Sequence, residues 1–406
     1  MVKVLRSLVR GPLEPHVARF AEELLRQGYS RSSASQHVCF IAHLDRWMSV
    51  QGVGLDGLGG SVIERYLAER RTAGYVEYRS VKALRPLLDF LAPLGVLPVP
   101  LEVRPDAVEE LLGRYGDYLL GERGLTAGTV RGYVDCVRPF VVTRARGEVL
   151  DLAGVSAADV TGFVLATCPG RAVGSAKLIV YALRSLLHWL HLTGRLPVPL
   201  AGAVPSVAGW RLSGLPKGLE PAQLRRLLAA CDRRTPTGRR DYAIMLLLAR
   251  LGLRAGEVAG LGLDDIDWRR GEIAVRGKGN RAERPPLPAD VGAAIMAYLR
   301  RGRPNTAEGR SVFVRVHAPH RTLTTGGVTM VVFGAAHRAG LGKMHAHRLR
   351  HTAATAMLRA GSPLTEVGQV LRHRSSLTTA IYAKVDRDAL AVLARPWPVD
   401  ACDGVS

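Results

Sequence analysis

Residues 345–358 read HAHRLRHTAATAML and place three histidines and two arginines within seven residues at the start of an apolar segment. The spacing of the apolar residues predicts a helix that begins near Ala346. Residues three and four apart share one face of a helix, so His347, Arg350 and His351 are expected to project from the same side. A helix that only packs into a core needs none of these charges. The stretch is therefore predicted to hold a metal ion, to bind an anion or to form a solvated helix end.

The charges favour an anion over a metal ion. Zinc proteases place two histidines four residues apart on a helix, with a glutamate directly after the first. Here Arg348 and Arg350 stand between His347 and His351, and no Cys, Asp or Glu lies nearby in sequence to complete a coordination shell. Two cations oppose the binding of a metal ion beside them. We therefore predict an anion site, with no metal and no cofactor.

The composition indicates a globular protein with a polyanionic partner. The chain has 406 residues, of which 47% are hydrophobic, and this is enough for two or three domains with cores of their own. The formal net charge is +21, and 49 of the 56 basic residues are arginine. Arginine presents a planar set of donors that matches phosphate, and nucleic acid is the commonest partner of a strongly basic chain. GC-rich coding also raises the arginine content, so the bias favours DNA without establishing it.

Cysteine usage and hydropathy favour a cytoplasmic location. The five cysteines are scattered and form no C-x-x-C pair, which is typical of a reducing compartment. The opening residues MVKVLRSLVRGPLEP lack the long apolar core of a signal peptide. The apolar stretch AIMLLLARLGL is too short to cross a membrane and contains Arg250. We expect a cytoplasmic protein without a membrane partner.

Two segments of the N-terminal half resemble each other. LRPLLDFLAPLGVLPVPL at 84–101 and LRSLLHWLHLTGRLPVPL at 183–200 are identical at eleven of eighteen positions. Upstream of each, Gly28 or Gly124 is expected to end one helix, and Ser30 or Thr126 is expected to cap the next. Apolar residues recur at helical spacing without a strand signal. The pattern predicts two duplicated helical bundles, at 1–103 and 104–200, and leaves open that they only pack and bind no ligand.

The C-terminal half has a different pattern. Residues 201–217 are rich in glycine and proline and are predicted to be a linker. The stretch 218–406 is predicted to form a mixed domain, with helices on both sides of the alternating segment IDWRRGEIAVRGKGNRAERPPLP and helices resuming at Ala289. The predicted fold class is mostly α with a small antiparallel β-sheet, in which two helical bundles precede a mixed α/β domain.

Two candidate groups lie before the histidine-rich stretch. Arg254 and Glu257 are three residues apart on a predicted helix, so the carboxylate can hold the guanidinium in place, although such pairs usually decorate a surface. Lys278 lies between glycines at the tip of a predicted hairpin. A lysine there can reach into a cleft or can serve solubility alone.

Another candidate group follows it in the segment LRHRSSLTTAIYAKVD. His373 is predicted to end one helix, and Ser375 or Ser376 to cap a second helix that carries Tyr382. The break between the helices allows His373 and Tyr382 to converge. Tyr382 can equally be a half-buried tyrosine of an amphipathic helix.

Taken together, these residues resemble the signature of the tyrosine recombinases, the phage integrase family. The signature comprises Arg254, Lys278, the HRLRH string at 347–351, His373 and Tyr382. The resemblance covers 218 to about 395, and the second helical bundle resembles the core-binding domain of that family. The chain departs from the family in carrying the bundle twice and in having LRH at 371–373 where L-G-H is usual. Arg372 is expected either to add a phosphate contact or to alter the local turn.

The resemblance implies a reaction in which DNA strands are cut and rejoined. Tyr382 would attack a phosphodiester, forming a 3′-phosphotyrosyl link and releasing a 5′-hydroxyl, which conserves the bond energy without ATP. Arg254 and Arg350 would stabilise the charge on the phosphate oxygens in place of a metal ion. Lys278 would protonate the leaving oxygen.

Four further residues receive roles from the same resemblance. His347 and His373 would bond the phosphate or take the tyrosine proton, and the sequence does not divide these two roles between them. Glu257 would support Arg254, and His351 would support its helix rather than react.

The implied partner is double-stranded DNA, gripped by the helical and catalytic domains, with four protomers pairing two sites as a tetramer. Partner recombinases, the DNA target and the purpose of the reaction, whether integration, excision or transposition, stay open. A type IB topoisomerase, which shares the attack but relaxes DNA as a monomer, is one alternative. A non-catalytic DNA-binding protein on the same scaffold is another. Such a protein is expected to lack at least one of the six catalytic positions, and all six are filled here.

Overall fold

The computed structural model describes residues 9–98, 106–147, 149–208, 218–277 and 282–372, together with Thr379. The chain divides into two compact units, one of Met1–Val99 with Gly214–Ser406 and one of Pro100–Ser213. Within the described residues most of the regular structure is helical, and each strand is two residues long. The predicted fold class, mostly α with small antiparallel strands, is confirmed. The predicted domain boundaries stay predictions.

The first helices form a bundle at the N-terminal end of the first unit. Helices α1 to α4 span Glu14–Arg26, Arg31–Val50, Gly60–Thr72 and Val81–Leu91. Gly28 has a left-handed φ of 89° after α1, and the hydroxyl of Ser30 accepts a hydrogen bond from the Ser33 N–H at 3.1 Å at the start of α2. This is the predicted stop and cap. The apolar faces share one core, which includes Phe20 and Ile41.

The second unit is also a helical bundle with its own core. Helices α5 to α8 span Ala107–Gly121, Ala127–Val142, Ala157–Thr167 and Val173–Leu192. Thr126 caps α6 by accepting from the Thr129 N–H at 3.4 Å, as predicted. The prediction of no strand is wrong here, because β1 (Ala145–Arg146) and β2 (Val149–Leu150) pair as an antiparallel hairpin. Gly147, with a φ of 64°, permits the reversal of the chain. The duplication of the two bundles stays a prediction.

The C-terminal part of the first unit combines helices with short strands. Its helices are α9 (Pro221–Ala229), α10 (Pro236–Arg250), α11 (Ala255–Ala259), α12 (Ala289–Arg301), α13 (Thr325–Arg338), α14 (Ala346–Arg359) and α15 (Leu364–Val370). Its strands are β3 (Ile266–Asp267), β4 (Glu272–Ile273), β5 (Val275–Arg276) and β6 (Ala282–Glu283). The predicted starts at Ala289 and Ala346 are confirmed.

The strands form two separate antiparallel pairs, β3 with β4 and β5 with β6. The prediction of one small sheet is wrong in this respect. Pro285 and Pro286 follow β6 and have no backbone N–H. Neither residue can therefore donate a hydrogen bond to a neighbouring strand. The oxygen of Pro285 still accepts from the Ile273 N–H at 3.0 Å, which keeps the two hairpins close.

Helix α10 lies in the middle of the C-terminal core. Its residues 243–249 are all buried, and it packs against α12 and α14. The apolar stretch AIMLLLARLGL is therefore the central core helix of this region. No helix in the described part of the chain is both long and apolar enough to cross a membrane. Packing against α10 fixes α14, the helix that opens with the histidine-rich stretch.

Candidate active site

A cleft of about 650 Å³ opens where the start of α14 approaches α11 and α13. Several of its lining residues are charged or polar: Arg254, Glu257, Arg276, Thr325, Thr329, His345 and His347. They come from four stretches that are far apart in sequence, so the fold itself creates the cleft. The arginines make it suited to an anion.

Arg254 and Glu257 form the pair that the sequence predicts. Arg254 immediately precedes α11, where its backbone N–H donates to Glu257 Oε2 at 2.8 Å and its Nη1 donates to Oε1 at 2.7 Å. The Glu257 side chain is only 4% exposed, whereas 41% of the Arg254 side chain is exposed to the cleft side. Burial raises the pKa of Glu257, but the Arg254 N–H and the guanidinium groups around the carboxylate outweigh burial, and the net pKa is lowered. An ionised Glu257 thus holds an arginine that can reach an anion.

Arg350 lies deeper than Arg254. It is 1% exposed on the inner face of α14, and its Nη1 donates to the Gly252 carbonyl at 2.5 Å while its Nη2 donates to the Leu371 carbonyl. The sequence predicts an arginine on the same side as the two histidines, and it does not predict this burial. The charge of Arg350 therefore lies behind the cleft, close to the segment that leads to His373.

His347 and His351 stack edge to face, with ring centroids 4.5 Å apart. Desolvation, followed by Arg350 and Arg254, lowers the pKa of His347. Burial, followed by His347 and Arg350, lowers the pKa of His351 to about 4. Both rings are therefore neutral near pH 7. No group of three or more His, Cys, Asp or Glu side chains among the described residues is arranged to hold a metal ion.

Three predicted residues, Lys278, His373 and Tyr382, lie outside the described residues. Their immediate neighbours are described in two cases. Gly277, which precedes Lys278, lines the cleft, and the flanking strands β5 and β6 pair with each other. Arg372, which precedes His373, contacts Glu257. The described neighbours of Lys278 and His373 thus reach the cleft or its wall.

Sequence reasoning missed several residues of the cleft. Arg276 is 64% exposed and is held by Asp265 at 3.0 Å. It lies on β5, and the alternation of this segment could have marked it as outward-facing. Thr325 and Thr329 reach the cleft from α13, and no local pattern marks them.

The side chain of Arg372 is buried beside Glu257. Its side chain is 5% exposed, and its Nη2 donates to Glu257 Oε2 at 3.0 Å, so it contacts a carboxylate rather than the open cleft. Its backbone has a left-handed φ of 55°, a conformation that favours glycine. A glycine, as in the L-G-H of the family pattern, would adopt this conformation without strain.

Several known proteins resemble this chain in sequence. Residues 217–388 match the phage integrase family. Over 96% of both chains, the protein is 42% identical to y4rA of Sinorhizobium fredii, which is named as a candidate integrase/recombinase. It is 31% identical to the tyrosine recombinase XerD of Listeria monocytogenes over 70% of this chain and 95% of XerD.

Solved structures share the fold. The XerH site-specific recombinase in a post-cleavage complex with a palindromic difH substrate aligns with a TM-score of 0.56 at 18% identity, covering 72% of this chain and 98% of XerH. A lambda integrase (75–356) dimer bound to a COC′ core site aligns with a TM-score of 0.52 at 17% identity, covering 73% and 99%. The extent of the sequence match to y4rA and XerD decides the assignment: this chain belongs to the phage integrase family of tyrosine recombinases, enzymes that cut and rejoin DNA strands.

Proposed function

We propose that the chain is a site-specific DNA recombinase whose reaction takes place in the cleft beside α14. One observation carries the proposal: Arg254, held by an ionised Glu257, lines the same cleft as the neutral His347 and the residue preceding Lys278. A phosphodiester needs cationic donors for its oxygens, an acceptor for the proton of the nucleophile and a donor for the leaving oxygen. Arg254 and His347, which line the cleft, would supply the first two functions, and Lys278, which follows Gly277 in the sequence, would supply the third.

The proposed reaction starts with Tyr382. Its oxygen attacks the scissile phosphorus, the bond from phosphorus to the 5′ oxygen breaks, and the enzyme keeps a 3′-phosphotyrosyl link. Lys278 gives a proton to the leaving 5′ oxygen. Attack by a 5′-hydroxyl of the partner strand reverses these steps, so no external energy source is required.

The remaining residues stabilise the charge that develops on the phosphate. Arg254 contacts the phosphate oxygens from the open side, and Arg350 adds a second positive charge from the buried side. His347 and His373 bond the phosphate or take the tyrosine proton; the lowered pKa of His347 keeps its ring neutral near pH 7, so that one ring nitrogen can accept. Glu257 orients Arg254, and His351 supports His347 by ring contact.

The proposed partner is duplex DNA bound by several copies of the chain. The net charge of +21 supports a polyanionic partner. XerH and lambda integrase have been solved on DNA, and lambda integrase has also been solved as a tetramer on a Holliday junction, with a TM-score of 0.51 to this chain. We propose that four protomers of this chain likewise assemble on two DNA sites. Since the substrate is DNA and the relatives are bacterial, we place the reaction in the cytoplasm.

Covalent capture tests this function and does not require a target sequence to be chosen in advance. Purified protein is incubated with sheared genomic DNA from the organism that encodes it, and the denatured adducts are isolated and sequenced. We expect one recurrent sequence flanked by inverted repeats, and a plasmid pair carrying that sequence should yield recombinant joints. Relaxed circles without joints would instead indicate a topoisomerase, and the absence of any adduct would indicate a DNA-binding protein without catalysis.

A further inference from the structure

One buried carboxylate joins two arginines beside the cleft. Glu257 Oε1 accepts from Arg254, while Oε2 accepts both from the Arg254 backbone N–H and from Arg372 Nη2 at 3.0 Å. The side chains of Glu257 and Arg372 are 4% and 5% exposed. The three charged groups therefore form a unit with one net positive charge. Arg254 is its exposed member, with 41% of the side chain exposed.

Arg372 is held in this place despite two unfavourable features. Its φ of 55° is strained for a residue that has a Cβ. Its Nε is buried and finds no acceptor among the described residues, and an unsatisfied buried donor is costly. A glycine at this position removes both penalties. Stability of the turn is thus a poor reason for an arginine here.

The contacts of Arg372 point towards Arg254 instead. Its side chain contacts the carboxylate that holds Arg254, and its own carbonyl oxygen accepts from Arg254 Nη2 at 3.3 Å. Arg372 therefore fixes Arg254 in two ways, through Glu257 and through its own carbonyl oxygen. Without the Arg372 side chain, Glu257 would keep its ion pair with Arg254. It would lose the hydrogen bond that Arg372 donates to Oε2.

We propose that Arg372 is a positioning residue, which orients Arg254 through Glu257. The proposal rests on the proposed function, because it assumes that Arg254 contacts the scissile phosphate. A positive charge that is already in place where negative charge develops lowers the barrier to the chemical step. It lowers this barrier more than it strengthens binding of the substrate in the ground state. Arg372 should therefore affect cleavage more than DNA affinity.

The test measures single-turnover formation of the covalent adduct by the full chain on a nicked duplex that carries the captured site. Arg372→Gly should slow cleavage by about tenfold, less than the 10²- to 10³-fold typical of a donor that touches the reacting atoms. The DNA dissociation constant should change by less than about twofold, and the thermal midpoint should stay the same or rise, since the strained φ is relieved. Arg372→Met, which keeps the length of the side chain and lacks the charge, should be equally slow.

A double-mutant cycle separates positioning from a direct or structural role. If Arg372 acts through Glu257, the double variant Glu257→Gln with Arg372→Gly should be no slower than the slower single variant. Arg372→Gly should also move the acid limb of the cleavage rate to higher pH, because Glu257 loses a cation that lowers its pKa. In both variants that carry Glu257→Gln this shift should be absent, and the part of the limb that follows protonation of His347 should remain.

Three results would overturn the proposal: an Arg372→Gly enzyme as fast as wild type, multiplicative losses in the double variant, or unfolding of both the Gly and the Met variants. The last result would assign Arg372 to stability alone. Failure of the proposed function is seen differently, as a wild-type chain that forms no adduct.

Discussion

Arg254 and Arg350 donate hydrogen bonds to two consecutive carbonyl oxygens, those of Arg372 and Leu371. The two arginines proposed to share one phosphate are thus tied to the same short segment, which leads directly to His373. A shift of this segment must disturb both arginines together. The position of 371–372 is therefore part of the active-site geometry.

Replacement of Gly252 by alanine tests this dependence. An added Cβ would lie 2.5 Å from Leu371 Cδ2, and the φ of 58° already disfavours a side chain. The Gly252 carbonyl also accepts from Arg350. We expect Gly252→Ala to lower the free energy of unfolding by roughly 1–3 kcal/mol. Cleavage should slow by roughly 10²-fold, the scale of a small misplacement of catalytic groups.

Gly271→Ala is the matched control for this prediction. Gly271 has a similar φ of 64°, and its added Cβ would meet nothing within 4 Å. This variant should show only the backbone penalty, of about 1–2 kcal/mol, with unchanged cleavage. Equal cleavage rates in the two alanine variants would contradict the role given to the contact with Leu371.

The pKa of His351 predicts an acid-sensitive fold. His351 has a pKa of about 4 in the folded chain and an ordinary value of 6.5. Between these values the unfolded chain binds more protons, so stability should be complete above pH 6.5 and should decrease as the pH falls towards 4. His351→Gln should remove part of this decrease in urea unfolding measured at about pH 7.5 and about pH 5. The exposed His188 provides the control, since His188→Gln should keep the wild-type slope, and equal slopes in all three proteins would contradict the prediction.

Salt dependence tests the phosphate contacts as a whole. With a net charge of +21, several phosphates should be neutralised on binding. The logarithm of the association constant should then fall with the logarithm of salt concentration with a slope on the order of −5 or steeper. Filter binding or fluorescence anisotropy between about 50 and about 300 mM salt measures this slope. A flat response would argue strongly against duplex DNA as the partner.

Removal of residues 1–101 tests whether the first bundle is needed for cleavage or only for DNA binding and synapsis. The N-terminal bundle has its own core. Its ion pairs with the C-terminal region, Arg26 with Glu308 and Asp89 with Arg321, are exposed, and such pairs contribute only about 0–1 kcal/mol each. The shortened chain should still form the adduct, with weaker DNA binding or poorer synapsis. Loss of cleavage by a shortened chain that keeps its helical circular dichroism would show that the first bundle is needed for chemistry.

Local signals in the sequence predict much of this fold. Ser30 and Thr126 cap helices, and α12 and α14 begin at Ala289 and Ala346, because caps and apolar periodicity depend on nearby residues. The small sheet was harder to predict, because two-residue strands contain too little alternation to fix their pairing.

Contacts between the described residues of the site were harder to predict than the helix starts. The pair of Arg254 and Glu257 is local and follows from helical spacing. The bond from Arg372 to Glu257 joins residues 115 apart, and the burial of Arg350 depends on how α14 packs against α10. Such distances and burial are properties of tertiary packing, which residue spacing does not encode. The roles of the six catalytic positions stay predictions.

Variants of Tyr382 and Lys278 test which residue is the nucleophile and which is the general acid. Tyr382→Phe removes only a hydroxyl, so folding and DNA binding should persist while the covalent adduct disappears. Lys278→Ala should keep the nucleophile but slow cleavage by roughly 10²- to 10⁴-fold, because the 5′ oxygen loses its proton donor. A substrate with a bridging 5′-thiolate has a leaving group that needs no proton, so it should rescue only the lysine variant.

The most direct single measurement is the adduct band on a denaturing gel after incubation of the wild type, Lys278→Ala and Tyr382→Phe with the thiolate substrate. The proposed mechanism predicts strong bands for the wild type and for Lys278→Ala and no band for Tyr382→Phe. An adduct formed by Tyr382→Phe would contradict the assignment of the nucleophile, and with it the proposed mechanism.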